Sequence, residues 1–286
     1  PPSPSPPLSS SSIHTIGHSI PLVHSDSQKT EVAEDQPPIS SSSSSSSYSL
    51  SYLSIEHCSN LRSLGDGLLR CPLRVLEVLR IEYCRELESL PEGGFRHLTS
   101  LKSLTMKFCP KLSWPSSSVV TGEVFLPSSL EQVAIYGCTD TVAELLPVRS
   151  LQKLSSLRRL DVSVGTSSDR VAGFRELTSL TSLGIYDGGH LNSEALSICL
   201  QGLTSLEYLS IFDCPLMTTL PSEEVLRRLT ALKQLRIWSC EQMTSLGGIH
   251  ALISLKELAI CDCPKLLHLV EAATSPPRSS LPLRGR

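Results

Sequence analysis

The chain has no block of lysine and arginine: 25 basic residues are interspersed with 28 acidic ones, for a net charge of −3. The electrostatic footprint of a nucleic-acid binder is missing. No apolar run reaches about 18 residues, so no membrane-spanning helix is expected. The first residues lack the charged-then-apolar order of a secretory leader, and no methionine opens the sequence, which reads as a fragment of a longer protein. No C-x-x-C pair and no phosphate-cradling G-x-x-x-x-G-K-[ST] loop occurs. The glycine pairs Gly93-Gly94, Gly188-Gly189 and Gly247-Gly248 read as turns. The eight histidines are scattered; His57 beside Cys58 is the one close pair, and strand neighbours point opposite ways. No Ser/His/Asp or Cys/His grouping is legible, so the chain is expected to be non-catalytic, with no cofactor, metal, nucleic acid or membrane as partner.

What is present is a repeat. The clearest copy is L-x-x-L-x-I-x-x-C-x-x-M-x-x-L-P, with Leu206, Leu209, Ile211, Cys214, Met217 and Leu220 before Pro221. Nine copies start at Leu50, Leu76, Leu101, Leu130, Leu157, Leu180, Leu206, Leu232 and Leu255, at steps of 23–29 residues. That period is the signature of a leucine-rich repeat. A second signal keeps phase with it: Leu98-Thr99-Ser100, Leu177-Thr178-Ser179 and Leu203-Thr204-Ser205 each precede a new copy. The L-x-L core is a short strand whose alternate residues face opposite ways. Leu209 and Ile211 should point inward; Tyr208, Ser210 and Phe212 should point outward. One strand cannot bury its apolar side alone, so stacked layers must close a common core. The expected fold is an α/β solenoid, a horseshoe with a concave parallel sheet. On its convex side, helices are predicted over 193–200 and within 220–229, the latter with Ser222 as cap and Glu223-Glu224 in its first turn.

Three domains follow from composition. Residues 1–47 are Pro/Ser-rich, end in eight serines and should be disordered. Residues 48–271 hold the repeats, and residues 272–286 form a loose tail. Ten cysteines occur, and seven fill one repeat position: Cys58, Cys84, Cys109, Cys138, Cys214, Cys240 and Cys263. Equivalent positions in a stack point in parallel directions, which suits a ladder of buried thiols facing the next turn's backbone better than disulfides or zinc. Free thiols suggest a reducing compartment, cytoplasm or nucleus. Asparagine makes the same point. Secreted repeats resemble one another in using it at this position, whereas Asn60 and Asn192 are the only two here, neither in an N-x-[ST] acceptor.

Cys109-Pro110-Lys111-Leu112, Cys263-Pro264-Lys265-Leu266, Leu126-Pro127-Ser128-Ser129-Leu130 and Cys84…Leu87…Leu90-Pro91 carry a more specific likeness. They resemble the C-terminal repeats of plant intracellular immune receptors, the nucleotide-binding, leucine-rich-repeat disease-resistance proteins, most of all the coiled-coil class of grasses. The resemblance implies a module that recognises a pathogen effector or a guarded host protein in defence, and restrains the receptor's own nucleotide-binding module. Repeats four to six depart from it: Gly165 and Gly188 replace the cysteine, and Thr139-Asp140-Thr141-Val142 follows Cys138. F-box adaptors of ubiquitin ligases share such a T-D phrase, so a substrate receptor of that kind is the alternative.

The concave face carries the candidate site. Outward strand positions, with the residue before the cysteine, hold Tyr52, Tyr83, Phe108, Tyr136, Tyr186, Tyr208, Phe212 and Trp238, eight of thirteen aromatics. One column reads Tyr136, Ser163, Tyr186, Phe212, Trp238. Exposed aromatic patches mark interaction sites, although aromatics also favour strands for their own sake. Around the stripe sit Asp187, Asp213, Asp262, Arg159 and Arg236. Four basic and seven acidic residues make the face mildly acidic. The expected partner-binding residues are Tyr136, Tyr186, Tyr208, Phe212, Trp238, Arg236, Asp213 and Asp187.

Overall fold

The computed structural model describes residues 50–64, 73–90, 94–113, 126–138, 153–164 and 169–266. The expectations for residues 1–47 and 272–286, for Gly93, Cys71 and Gly165, and for residues 139–142 lie outside these. Among the described residues, nine five-residue strands form one parallel sheet in chain order. They are β1 (Tyr52–Glu56), β2 (Val78–Glu82), β3 (Ser103–Lys107), β4 (Gln132–Tyr136) and β5 (Arg159–Ser163). β6 (Ser182–Tyr186), β7 (Tyr208–Phe212), β8 (Gln234–Trp238) and β9 (Glu257–Cys261) complete it. The register never slips: Leu209 pairs with Leu183 on one side and Leu235 on the other, and Ile211 with Ile185 and Ile237. A one-residue slip would turn every buried leucine to solvent, so the hydrophobic pattern itself fixes the pairing.

Backbone bonds tie layer to layer before the strands begin. The Glu77 carbonyl accepts from the Lys102 and Ser103 amides at 2.8 and 3.0 Å, and the Glu207 carbonyl from Lys233 and Gln234 at the same distances. The core is one continuous cluster in which Leu79, Leu104, Leu183, Leu206 and Leu235 are fully or almost fully enclosed. Each such side chain contributes about 1.5–3 kcal/mol relative to an exposed one. In β9, the last strand among the described residues, Leu258 is 39 % exposed.

The convex side is less regular. α1 (Asp169–Ala172) leads into a 3-10 turn at Gly173–Glu176. α2 (Ser193–Leu200) is capped by Asn192, whose side chain accepts from the Ala195 amide at 2.8 Å. α3 (Glu223–Arg228) starts after Ser222 as expected, but the serine hydroxyl makes no capping bond. Its first-turn acids instead pair one turn along, Glu223 with Arg227 and Glu224 with Arg228, the favoured order of charge on a helix.

The cysteine position is a ladder with a direction opposite to the expected one. Cys84 Sγ donates to the Ile55 carbonyl at 3.7 Å, Cys109 to Ile81 at 3.9 Å and Cys138 to Met106 at 3.7 Å, each reaching the preceding layer. Each also lies within 3.3–3.8 Å of the carbonyl two residues back. The nine described cysteines are free thiols. In the sixth repeat, Gly188 stands in the cysteine's place. A Cβ there would come within 2.6 Å of Cys214 Sγ, so the next layer's sulfur uses that space.

Two outcomes test this packing. Leu209→Ala should cost about 2–5 kcal/mol in a denaturant melt, because it opens a cavity in one layer. Ser210→Ala, facing out, should stay within about 0.5 kcal/mol; equal losses would contradict the register. The thiols give a second readout. Burial pushes the Cys199 thiol well up, and Cys109 rises to about 11, chiefly through the Cys138 thiol, with burial adding. Alkylation needs thiolate and access. Iodoacetamide at pH 8 should therefore label the exposed Cys261 well before Cys84, Cys109, Cys199 or Cys214, which should react only on unfolding. Prompt labelling of those four would contradict a closed core.

Candidate functional site

The outward residues of the strands form three columns on the concave face. The last of these, at the strand C-termini, holds the aromatic stripe. Tyr136 and Tyr186 stack at 4.2 Å between ring centroids, with planes 13° apart, although they lie two layers apart. Ser163 stands between them, small and 6 % exposed, and its hydroxyl accepts from the Gly137 amide at 3.2 Å. From Tyr186 the stripe passes to Phe212 at 5.9 Å and then to Trp238 at 6.1 Å. Four of the five aromatic site residues named from the sequence are thus brought together.

The stripe also runs the other way, into a part that the column of strand-end residues did not contain. Phe108 meets Tyr136 edge-on at 5.6 Å, Tyr83 stacks on Phe108 at 4.9 Å, and His57 stacks on Tyr83 at 4.7 Å with planes 2° apart. Seven rings therefore form one ladder from β1 to β8. His57, Tyr83 and Phe108 sit one residue beyond the strand end, in the left-handed region at φ of 55°, 56° and 51°. Such a φ is uncommon for residues other than glycine, and rarer for bulky ones. The same turn recurs in every described repeat except the fifth, with Gly137, Asp187, Asp213, Ser239 and Asp262 in that place. It ends the strand and directs the following residue, a cysteine in all of these repeats but the sixth, inward. At Gly137 the ladder changes column. A Cβ there would lie 2.7 Å from the Phe108 ring, which packs directly on the glycine backbone.

The other named residues divide. Tyr208 lies in the first column, away from the ladder, and its ring carries the Arg236 guanidinium at 5.4 Å. Arg236 also bonds Glu257 at 3.1 Å. Asp187 and Asp213 occupy left-handed turn positions, where aspartate is one of the better-tolerated residues. The backbone thus supplies a reason for them that needs no partner.

Charges on the face are paired across and along strands. Arg80 bonds Glu82 at 3.0 Å, Lys107 lies 3.6 Å from the same carboxylate, and Lys107 also stands 5.2 Å from the Tyr136 ring centroid. Arg159 Nε donates to Asp161 Oδ2 at 2.8 Å. Arg80, Lys107, Arg159 and Asp161 line a shallow polar groove of about 270 Å³ with Thr105 and Gln132. Burial, and after it the Asp161 carboxylate, push the Tyr186 hydroxyl up to about 12, so this ring stays neutral at physiological pH. Among the described residues, no group of three or more His, Cys, Asp or Glu side chains could hold a metal ion, and no helix is long and apolar enough to cross a membrane.

The solved leucine-rich repeat domain of the type III effector XopL superposes with a TM-score of 0.51 at 20 % identity, covering 78 % of this chain and 72 % of that one. The fold is a leucine-rich repeat solenoid. An internalin of Listeria monocytogenes, InlF, reaches a TM-score of 0.42 at 19 % identity over 67 % of this chain and 49 % of its own. A TLR13–ssRNA13 complex reaches 0.42 at 17 % identity over 75 % and 36 %. No family model and no curated protein matches the sequence.

The ladder makes a stability prediction. Tyr136 touches two other rings and a lysine, whereas Trp238 ends the row. Ring pairs contribute about 0.5–1.5 kcal/mol each beyond area burial. Tyr136→Ala should therefore lower stability by about 1–3 kcal/mol and Trp238→Ala by less, measured by urea denaturation. The reverse order would show that the rings do not act as one row.

Proposed function

We propose that residues 48–271 are the protein-recognition region of a plant intracellular immune receptor, with the concave ladder as its partner surface. The reading is carried by one observation: seven rings run without a break across the concave face, and Tyr83, Phe108 and Trp238 remain 41–42 % exposed. A stripe of that kind stays costly in water unless something covers it, and rigid aromatics are the side chains that anchor protein interfaces. The cysteine phrases that resemble the disease-resistance receptors support the cellular setting, cytoplasm or nucleus. They also point to the partner, a pathogen effector or a guarded host protein. In a full-length receptor the same surface would rest against the receptor's own nucleotide-binding module. A ligand that prefers the open form would then shift the balance toward activity. No catalytic, cofactor or metal role is assigned to the chain.

Phe212 and Trp238 are paired across β7 and β8 and are the anchors of choice for a test. Truncating both to Ala should leave a folded chain, since neither faces the core. It should weaken effector or guardee binding by at least about 2 kcal/mol, near thirtyfold. If the patch instead holds the nucleotide-binding module, the double variant should trigger cell death in leaf tissue without any ligand. A double variant that stays folded and changes neither readout would leave the ladder as sheet packing alone.

A further inference from the structure

The middle column of the concave face has an unusual floor. Across β5 to β8 it reads Asp161, Gly184, Ser210, Arg236, each paired in register with the next. Two very small residues therefore lie between an acid and a base. Tyr186 and Phe212 wall this trough on the ladder side, and Ser182 and Tyr208 on the other. Gly184 is required: a Cβ there would fall 2.4 Å from Asp161 Oδ1 and 2.8 Å from the Tyr186 ring. The carboxylate and the ring edge both lie down over the bare backbone.

Hydrogen bonding in the same place is incomplete. Among the described residues, three buried side-chain polar atoms have no partner: Asp161 Oδ1, Ser182 Oγ and Arg236 Nε. All three belong to outward positions of β5, β6 and β8, and none lies in the core. Asp161 has a side chain only 5 % exposed, and its one bond leaves through Oδ2 to Arg159. An orphaned buried polar atom destabilises the fold that holds it, and a partner that completes it regains that loss on binding. The half-buried Tyr186 ring packs beside that carboxylate over Gly184.

We infer that this trough is the receptor for an extended partner segment carrying a cationic side chain, lysine or arginine, over Asp161 and an acidic side chain over Arg236. The inference rests on the reading of the concave face as the partner surface and specifies what that surface selects. Geometry sets the spacing. Asp161 and Arg236 are three strand steps apart, about 14 Å, and an extended chain rises about 3.3 Å per residue, so the two charges should be four residues apart. Ser210 leaves room for the intervening backbone, whose amides and carbonyls can serve Ser182, while over Gly184 the Tyr186 ring must turn aside for the segment to reach Asp161. Either chain direction satisfies the pair.

The test is a peptide array probed with the full chain. Peptides carry Lys-x-x-x-Glu, Glu-x-x-x-Lys, Lys-x-x-x-Leu, Leu-x-x-x-Glu or Leu-x-x-x-Leu, the other positions being randomised. At least one of the two doubly charged sets should be retained most strongly, by about tenfold over Leu-x-x-x-Leu. Asp161→Asn should abolish the preference for lysine over leucine and keep the preference for glutamate. Arg236→Gln should do the converse. Melting curves confirm that both variants remain folded, and the profile of the unaltered chain needs no variant at all. Equal retention of all sets, retention of none, or a lysine preference that survives Asp161→Asn would overturn the inference. The Phe212→Ala/Trp238→Ala chain separates the two claims. If it loses retention while Asp161→Asn changes nothing, the surface stands and the charge rule fails. If neither change matters, both fail.

Discussion

The contact on which everything else depends is the stacking of one inward Leu-x-Ile pair on the next. A single five-residue strand has too little apolar surface to offset the entropy of ordering it. Nine strands in unbroken register convert that surface into one column of enclosed side chains, with each layer serving as the floor of the next. The arrangement makes the molecule quasi-one-dimensional: each layer is stabilised by its immediate neighbours. It also removes choice from the outer surface. Once leucine and isoleucine occupy the inward positions, the residues between them must face out, in columns about 4.8 Å apart.

That constraint produces the stripe. Rings in equivalent positions of adjacent layers are brought to stacking distance by the backbone, whatever their purpose. What stacking does not supply is continuity through the irregular repeats, and there small residues do the work. Gly137 gives the Phe108 ring a flat surface on which to cross to the next column. Ser163 leaves space for Tyr136 and Tyr186 to meet over it. Gly184 lets Asp161 and Tyr186 share the position a side chain would have filled. The thiol ladder is the inward counterpart, with Gly188 yielding to Cys214 as Gly137 yields to Phe108.

Much of this was legible in the residues, for a physical reason. Burial imposes a period of two on strands, and the L-x-x-L-x-I spacing carries it nine times, so register, core and strand direction follow from counting. The predicted helix at Glu223–Arg228 was legible from its flanking serine and acids, yet the cap was not, because the serine's rotamer is a tertiary matter. The left-handed turn was hidden as well. His57, Tyr83 and Phe108 differ from their neighbours only in φ, and no composition rule reports φ for an aromatic. Asp187 and Asp213 stand in that same turn, which the sequence pattern does not reveal. The burial of Asp161 was invisible because it depends on a glycine one layer away.

The most direct measurement is a nuclear Overhauser spectrum of the chain, with specifically labelled tyrosines. Ring protons of Tyr136 and Tyr186 should give strong cross-peaks, since the rings stack at 4.2 Å although fifty residues and a whole layer separate them. That contact exists only if β4, β5 and β6 keep one register, Ser163 lies beneath the rings, and the stripe is continuous. Absence of the cross-peaks in a folded chain would break the ladder at the fifth repeat and contradict a single concave surface.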